Sequence, residues 1–149
     1  MIYLGSDHAG FELKESIKEN ISKKGLKYID IGTDSLKSVD YPDYALKVAE
    51  KVKEDEDEDS FGILVCGTGI GMEITANKVD GIRAALIYDE YTAEVAKEHN
   101  NANIITMGGR TTTPTEALRY IDRFMSAKYE GGRHENRISK INSIEKLNI

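Results

Sequence analysis

The sequence has very little cysteine, with Cys66 the only one in 149 residues. A single cysteine excludes a disulfide within the chain, and no spacing of cysteine and histidine resembles a zinc site, so the residues predict no metal centre. No apolar run approaches membrane-spanning length, and the opening residues MIYLGSDHAG lack the basic flank of a signal peptide. We therefore expect a cytoplasmic protein with no membrane partner.

Positive charge is also in deficit, since 20 lysines and arginines stand against 26 aspartates and glutamates, for a net charge of −6. This balance argues against nucleic acid as a partner. An anionic ligand would have to be bound by local arginines and backbone dipoles. Residues 54–59 are all acidic. A metal could bind there, but consecutive carboxylates repel one another, so a solvated loop is the favoured interpretation.

Apolar runs and amphipathic stretches alternate five times, with no internal repeat and no domain linker. The apolar runs lack the polar alternation of half-buried strands, which is typical of parallel strands covered on both faces. We therefore predict a single domain, residues 1–149, with an α/β fold: a Rossmann-like three-layer α/β/α sandwich around a five-stranded parallel sheet. The predicted strands cover residues 2–5, 26–31, 61–65, 82–87 and 103–107.

An extra helix follows the last strand-and-helix unit and has no strand to cover. Its narrow apolar stripe consists of Ile138, Ile141, Ile144 and Leu147. The stripe could pack on its own domain or on a partner subunit, and we favour the partner.

The stretch from Phe61 to Lys78 is typical of a strand, a glycine turn from Cys66 to Gly71, and a helix. Backbone amides and the positive end of a helix dipole together favour an anion site in the turn. A dinucleotide site is disfavoured, because Met72 occupies the position of the third glycine, and the phosphate-loop pattern is absent. The glycines can equally be structural and let the helix pack closely on the strand.

A lone cysteine is more often a small buried hydrophobic residue than a catalyst. Cys66, however, lies where the strand runs into the helix N-terminus. That position favours the thiolate form, which suits Cys66 to be a base or a nucleophile.

Other polar residues follow the predicted strands, at the edge where open parallel sheets bind ligands. Asp7 and His8 come after the first strand, and Arg110 comes after the fifth. We expect these side chains to lie near the glycine turn.

His99 and Asn100 end the fourth helix, just before the fifth strand begins. Of the three histidines in the chain, His99 is the better candidate for acid–base work. Arg133 and Arg137 are four residues apart on one face of the last helix. They form either a solvated basic face or a bidentate phosphate clamp.

These residues fall in a series of motifs that extends along nearly the whole chain. The motifs are G-S-D-H-A-G-F (5–11), D-Y-P (40–42), G-I-L-V-C-G-T-G-I-G (62–71), A-N-K (76–78), G-I-R-A (81–84), H-N (99–100), G-G-R (108–110) and Y-E-G-G-R-H-x-x-R (129–137). In this order and spacing the chain resembles the type B ribose-5-phosphate isomerases, together with the related galactose-6-phosphate and allose-6-phosphate isomerases.

The resemblance implies an aldose–ketose isomerase, free of metal and cofactor, that works through a cis-enediolate. By similarity, Cys66 removes the proton next to the carbonyl carbon and returns it to the neighbouring carbon. Thr68 would relay a proton between the two oxygens. The turn that stabilises the enediolate oxygens would consist of Gly67, Thr68, Gly69, Ile70 and Gly71.

Further roles come from the same resemblance. His99 would be the acid that opens the furanose ring, Asp7 would orient ring opening or the sugar hydroxyls, and Asn100 would hold the sugar chain. The phosphate would bind to His8, Arg133 and Arg137, with Arg110 nearby. Family sites combine residues of two subunits, which implies a homodimer or a dimer of dimers.

One branch of the family uses a glutamate base directly after the last glycine, with serine in place of the cysteine. Here that place is taken by Met72, and Glu73 is one residue further on. Because Cys66 is present, we assign the thiol branch. The implied reaction is interconversion of ribose 5-phosphate and ribulose 5-phosphate in the non-oxidative pentose phosphate pathway. A hexose 6-phosphate isomerase is the alternative, and a non-catalytic phosphosugar or nucleotide sensor is a third interpretation.

Overall fold

The structure, a computed structural model, describes residues 1–148, so the last residue of the predicted domain, Ile149, lies outside the described part. Five parallel strands form one sheet in the order β2-β1-β3-β5-β4. The predicted α/β fold is confirmed. The strands are β1 (Ile2–Ser6), β2 (Tyr28–Gly32), β3 (Phe61–Cys66), β4 (Ala84–Leu86) and β5 (Ile104–Gly108).

Helices cover both faces of this sheet. They are α1 (Phe11–Lys23), α2 (Tyr41–Glu54), α3 (Ile70–Ala76), α4 (Glu90–Glu98), α5 (Pro114–Ser126) and α6 (Arg133–Glu145), followed by a 3₁₀ turn (Lys146–Asn148). Apolar residues of α1, α4 and α5 share one core with the sheet, and those of α2 and α3 share another. The result is the predicted three-layer sandwich.

The central strand β3 is buried along its whole length and divides its side chains between the two cores. Ile63 and Val65 face the core of α1, α4 and α5, whereas Leu64 and Cys66 face the core of α2 and α3. This continuous burial explains why the strand has an unbroken apolar sequence. It also fixes the face of the sheet on which the thiol lies.

Some predicted boundaries were wrong. Strand β4 is shorter than residues 82–87, because the amide of Ile82 donates to the Val79 carbonyl in a turn (3.1 Å) before the strand begins. Helix α3 begins at Ile70, so the glycine turn is shorter than predicted. Met125 was assigned to the apolar face of α5 but is 38% exposed, since the buried stripe passes through Ile121 and Phe124 beside it.

The extra helix α6 is only loosely covered by the rest of the described chain. Of the predicted stripe, only Ile138 is buried, while Ile141, Ile144 and Leu147 are 43%, 57% and 80% exposed. His134 is the other buried residue of α6. Within residues 1–148, no helix is long and apolar enough to cross a membrane.

The acidic run leaves α2 at Glu54 and continues as a loop, as predicted. Its carboxylates accept hydrogen bonds from nearby amides: Asp57 N donates to Asp55 Oδ1 and Asp59 N donates to Asp57 Oδ1, each at 2.9 Å. These local bonds engage Asp55 and Asp57 within the loop itself.

Candidate active site

Three loops meet at the carboxyl edge of the sheet. Strands β1, β3 and β5 are neighbours in its centre, so the loops that follow them are adjacent. The Asp7 amide donates to the Val65 carbonyl (3.2 Å), and the Gly109 amide donates to the Cys66 carbonyl (2.8 Å). The structure therefore brings together the three segments that the sequence predicts to carry Asp7, the thiol and Arg110.

Cys66 is the last residue of β3 and is 5% exposed. Its sulfur accepts a hydrogen bond from the Gly69 amide at 3.1 Å. Gly69 has φ of 83°, a left-handed conformation that favours glycine and that directs this amide back at the sulfur. An N–H donor at the sulfur stabilises negative charge there, as a thiolate base requires.

The remainder of the glycine turn leads into α3. Because α3 begins at Ile70, the amides of its first turn have no partner within the helix and can bind an anion. Thr68 is exposed, and its hydroxyl oxygen accepts from the Ile70 amide at 3.3 Å. The Arg110 guanidinium lies against Gly67 and the Tyr41 ring lies against Gly71, so both ends of the turn have a side chain beside them.

Asp7 and His8 are held by the backbone on the neighbouring loop. Asp7 is 6% exposed, and its Oδ1 accepts from the amides of Ala9 (2.9 Å) and Gly10 (3.1 Å). The Nδ1 of His8 accepts from the Val39 amide at 3.2 Å, which leaves Nε2 as the protonated nitrogen of the neutral ring. That N–H is the donor that His8 offers to a ligand.

The other predicted site residues lie at the opposite edge of the sheet. His99 caps the C-terminus of α4 and Asn100 follows it, both before the start of β5. Strand β5 has five residues, so the two edges are about 16 Å apart. Within one chain, His99 and Asn100 therefore do not meet Cys66.

Helix α6 joins His99 at this amino edge. The His134 and His99 rings are stacked, with centroids 4.3 Å apart and an interplanar angle of 13°. His99 Nε2 lies 3.5 Å from Glu130 Oε1. Burial lowers the pKa of His134, and the nearby His99 and Arg133 lower that pKa further.

His99, Glu130 and His134 also form a group whose possible metal ligand atoms all lie within 4.8 Å of one another. Their arrangement does not suit an ion. An imidazole binds a metal in the plane of its ring at about 2.1 Å. An ion shared by two parallel rings would lie between their planes, far out of the plane of each.

The arginines predicted to bind phosphate are exposed. Among residues 1–148, Arg110, Arg133 and Arg137 make no side-chain hydrogen bond and no ion pair. Guanidinium groups that are not engaged within the protein are available to a phosphate. Arg110 lies at the carboxyl edge, whereas Arg133 and Arg137 lie on α6.

Glu73, the alternative base considered from the sequence, has a structural partner. Its Oε1 accepts from the Leu86 amide at 3.1 Å and so ties α3 to β4. This bond supports the assignment of the chain to the thiol branch, with Cys66 as the base.

Sequence reasoning missed three residues near the candidate site. They are Tyr41 at the carboxyl edge, and Glu130 and His134 at the amino edge. Tyr41 lies in the D-Y-P motif but had no assigned role. His134 precedes Ile138 by four residues, so it continues the apolar stripe of α6, and this spacing could have identified it as buried.

Comparison with known proteins shows which family the chain belongs to. A sequence model of the family described as Ribose/Galactose Isomerase matches residues 2–141. The chain belongs to this family. A curated family relative, the ribose-5-phosphate isomerase B of Escherichia coli, is 42% identical over 144 residues, which are 97% of this chain and 95% of the relative.

Two solved structures are similar along nearly the whole chain. The ribose-5-phosphate isomerase B of Clostridium thermocellum is 47% identical with a TM-score of 0.96, and 99% of each chain is covered. The enzyme of Mycoplasma genitalium, solved with bound ribulose-5-phosphate, is 44% identical with a TM-score of 0.93, and the match covers 97% of this chain and 95% of that one.

Proposed function

We propose that this protein interconverts ribose 5-phosphate and ribulose 5-phosphate through a cis-enediolate. The observation that carries the proposal is the buried Cys66 sulfur with the Gly69 amide directed at it, beside the first amides of α3, which have no partner within the helix. Family membership and the relatives named ribose-5-phosphate isomerase B support it.

Cys66 acts as the base. Its thiolate takes the proton from C2 of the open-chain aldose, which places the negative charge on the C1 oxygen and forms the C1–C2 double bond. Thr68 relays the proton of the C2 hydroxyl to the C1 oxygen. The thiol then protonates C1, and the carbonyl forms at C2. Carbon C1 is reduced as C2 is oxidised, so the reaction needs no external cofactor.

The amides of the glycine turn stabilise the charge that develops on the enediolate oxygens. These amides belong to Gly67, Thr68 and Gly69 of the turn and to Ile70 and Gly71 at the start of α3. One such donor, aimed where charge develops, contributes about 3–4 kcal/mol to the transition state. The N–H groups are fixed by the fold before substrate arrives, and this pre-organisation is the source of the effect.

The remaining side chains open and hold the sugar. His99 donates the proton that opens the furanose, Asp7 orients the reacting oxygen, and Asn100 binds the sugar chain. The phosphate is bound by His8, Arg110, Arg133 and Arg137. A phosphorylated sugar does not cross membranes freely, so a cytoplasmic site of action accompanies this proposal.

The two edges of the sheet imply a homodimer with shared sites. Because about 16 Å of β5 separates His99 from Cys66 within a chain, we infer that the amino edge of one subunit completes the carboxyl edge of another. The exposed stripe of Ile141, Ile144 and Leu147 offers an apolar surface for that contact. A dimer of dimers would use the same shared site.

Complementation tests the shared site. Cys66→Ala and His99→Ala chains, each nearly inactive, would be co-expressed with different tags. A hybrid dimer then has one intact site, so random assembly should restore about a quarter of wild-type kcat. The control co-expresses a Cys66→Ala chain with a Thr68→Ala chain. Both changes lie on the same edge, so this pair should not recover activity. If the first pair also fails to recover, each site lies within one chain.

A substrate panel tests the reaction itself. Ribose 5-phosphate, galactose 6-phosphate and allose 6-phosphate would each be offered, with deuterium incorporation at C1 and C2 followed in D₂O. We expect kcat/KM to be highest for the pentose. A comparable value on a hexose 6-phosphate would overturn the pentose assignment, and binding without deuterium incorporation would indicate a non-catalytic sensor.

A further inference from the structure

His134 is a buried histidine to which the proposed mechanism gives no role. It is 7% exposed, whereas its neighbours Arg133 and Glu135 on the first turn of α6 are exposed. Its ring lies flat on that of His99, the proposed ring-opening acid. A buried polar ring needs a reason to be there, because an apolar side chain would fill the same space at lower cost.

We propose that His134 is a positioning residue for His99, and that Glu130 assists it. The stacked ring of His134 supports one face of His99, and the carboxylate of Glu130 holds its Nε2. Opening of the cyclic sugar phosphate depends on both. This inference rests on the proposed function, because it assigns to His99 the proton transfer that opens the furanose.

The backbone is built to bring these three side chains together. Gly131 and Gly132 have φ of 68° and 58°, in the left-handed region that favours glycine. The turn that they make starts α6 directly beside the end of α4. The Glu130 amide donates to the Glu98 carbonyl at 3.0 Å, which fastens the loop to the residue before His99.

Charge makes the stack suitable for an acid. Burial lowers the pKa of His134, so this ring is neutral near pH 7 and adds no positive charge beside His99. Glu130 Oε1, at 3.5 Å from His99 Nε2, is the carboxylate that faces this pair, and Arg133 and Arg137 are the neighbouring cations. With the Glu130 carboxylate beside Nε2, the Nδ1 of His99 is left for the substrate.

The support is expected to matter because proton transfer depends strongly on position. Moving a catalytic group by about 1 Å can cost about 100-fold in rate. Without the His134 ring, one face of His99 would lose its support and the imidazole could rotate. The ring-opening step would suffer, while the Cys66 chemistry at the other edge of the sheet would not.

Deuterium exchange separates the two steps. Ribulose 5-phosphate has its C5 oxygen blocked by phosphate and cannot close a five-membered ring. Exchange of its C1 proton in D₂O therefore requires Cys66 and the enediolate but no ring opening. Isomerisation of ribose 5-phosphate, which is mostly cyclic, requires both steps.

For His134→Ala we expect kcat/KM on ribose 5-phosphate to fall about 10- to 100-fold, with C1 exchange into ribulose 5-phosphate within about twofold of wild type. His99→Ala should likewise lose isomerisation and keep C1 exchange, whereas Cys66→Ala should lose both activities. His134→Phe, which keeps a flat ring on His99, should recover most of the isomerisation. Glu130→Gln, at an exposed position, should show the same pattern more weakly.

The same variants also show which results would contradict the positioning role of His134. Unchanged isomerisation in His134→Ala, or equal losses of exchange and isomerisation in both His134→Ala and His134→Phe, would overturn the positioning role. Lys140→Ala, an exposed change on the same helix, should alter neither activity. If the wild-type protein catalyses neither reaction, the proposed function fails instead, which is a distinguishable result.

Discussion

At the carboxyl edge of the sheet, Cys66 and Asp7 are 5% and 6% exposed, and backbone amides hold both side chains. At the amino edge, Arg133 and Arg137 are exposed on a helix that buries only His134 and Ile138 in the described chain. One edge is thus fixed by the main chain of a single subunit. The other presents side chains on a helix that the described chain covers only loosely.

This difference between the two edges indicates that they contribute differently to the chemical step and to phosphate binding. Groups fixed by the backbone are pre-organised and suit the chemical step, where small displacements are costly. Long charged side chains at the surface suit the binding of a phosphate that does not react. We therefore expect loss of Cys66 to lower kcat, and changes of the α6 arginines to raise KM.

The largest effect is expected for Cys66→Ala. Removing a general base lowers kcat by about 100- to 10,000-fold, while the affinity for substrate should stay within a small factor because phosphate binding is untouched. A coupled isomerase assay and calorimetric titration would measure the two quantities. Glu73→Gln is the matched control and should retain activity. Normal turnover of the cysteine variant would move the base elsewhere, with Glu73 the first candidate.

Arg137→Ala should have a smaller effect, and on KM rather than on kcat. Loss of a hydrogen bond to a charged group costs about 1.5–3 kcal/mol, which corresponds to a rise in KM of about 10- to 100-fold with a lesser change in kcat. Lys140→Ala removes a positive charge three residues further along the same helix and should leave KM unchanged. An unaltered KM in the arginine variant would remove Arg137 from the phosphate site.

A pair of glycines tests how far the carboxyl edge depends on its backbone. Gly69 and Gly81 have nearly the same φ, 83° and 87°, so alanine should cost each about 1–2 kcal/mol of conformational strain. A Cβ on Gly69 would also lie 2.9 Å from the Met107 carbonyl carbon, whereas one on Gly81 meets nothing within 4 Å. Gly69→Ala should therefore be the less stable and should lose activity, and Gly81→Ala should not. Equal activities would contradict the proposed role of the turn.

The smallest effect on activity is expected away from both edges, at the buried Lys14. Its Nζ lies 2.7 Å and 2.8 Å from the two carboxylate oxygens of Asp30. Burial alone would raise the pKa of Asp30, but hydrogen bonds from Lys14 and Lys18 outweigh it, so the pKa lies below the ordinary 3.8. The stabilisation is therefore complete above about pH 4 and is lost as the pH falls through the lowered value.

Asp30→Asn should lower the free energy of unfolding at pH 7 by up to about 3–5 kcal/mol, because the buried Lys14 loses its nearest carboxylate and keeps only the half-exposed Glu15 at 3.6 Å. The values of kcat and KM should not change. Thermal unfolding at pH 7 and pH 3 would show the difference in Tm between variant and wild type shrinking in acid. A difference that is independent of pH would mean that the ion pair is not its cause.

Much of the carboxyl edge could be predicted from the sequence. Strands β1, β3 and β5 are unbroken apolar runs, and the rule for ligand sites in parallel sheets brings the residues after them together. Asp7, His8, Cys66 and Arg110 follow from that rule, and the structure brings their segments to one edge. The residue roles come from the family resemblance and stay predictions.

The amino edge could not be predicted to the same degree. The stack of His134 on His99 depends on two positive φ values at Gly131 and Gly132, and no periodicity reports backbone angles. The short β4 was overestimated for a similar reason: local turn bonds, not hydrophobicity, decide where an edge strand begins. Tyr41 was missed because its contact with Gly71 is distant in sequence.

The order of the strands has a consequence for how the protein folds. Asp7, Cys66 and Arg110 are spread over more than 100 positions of the chain, yet the parallel pairs β1–β3 and β3–β5 bring them together. Such pairs gain stability only after long loops have closed, which makes folding slow. Asp7, the thiol and Arg110 would therefore come together only after residue 110 has been synthesised. No shorter N-terminal fragment can assemble the carboxyl edge, however well its first strands pair.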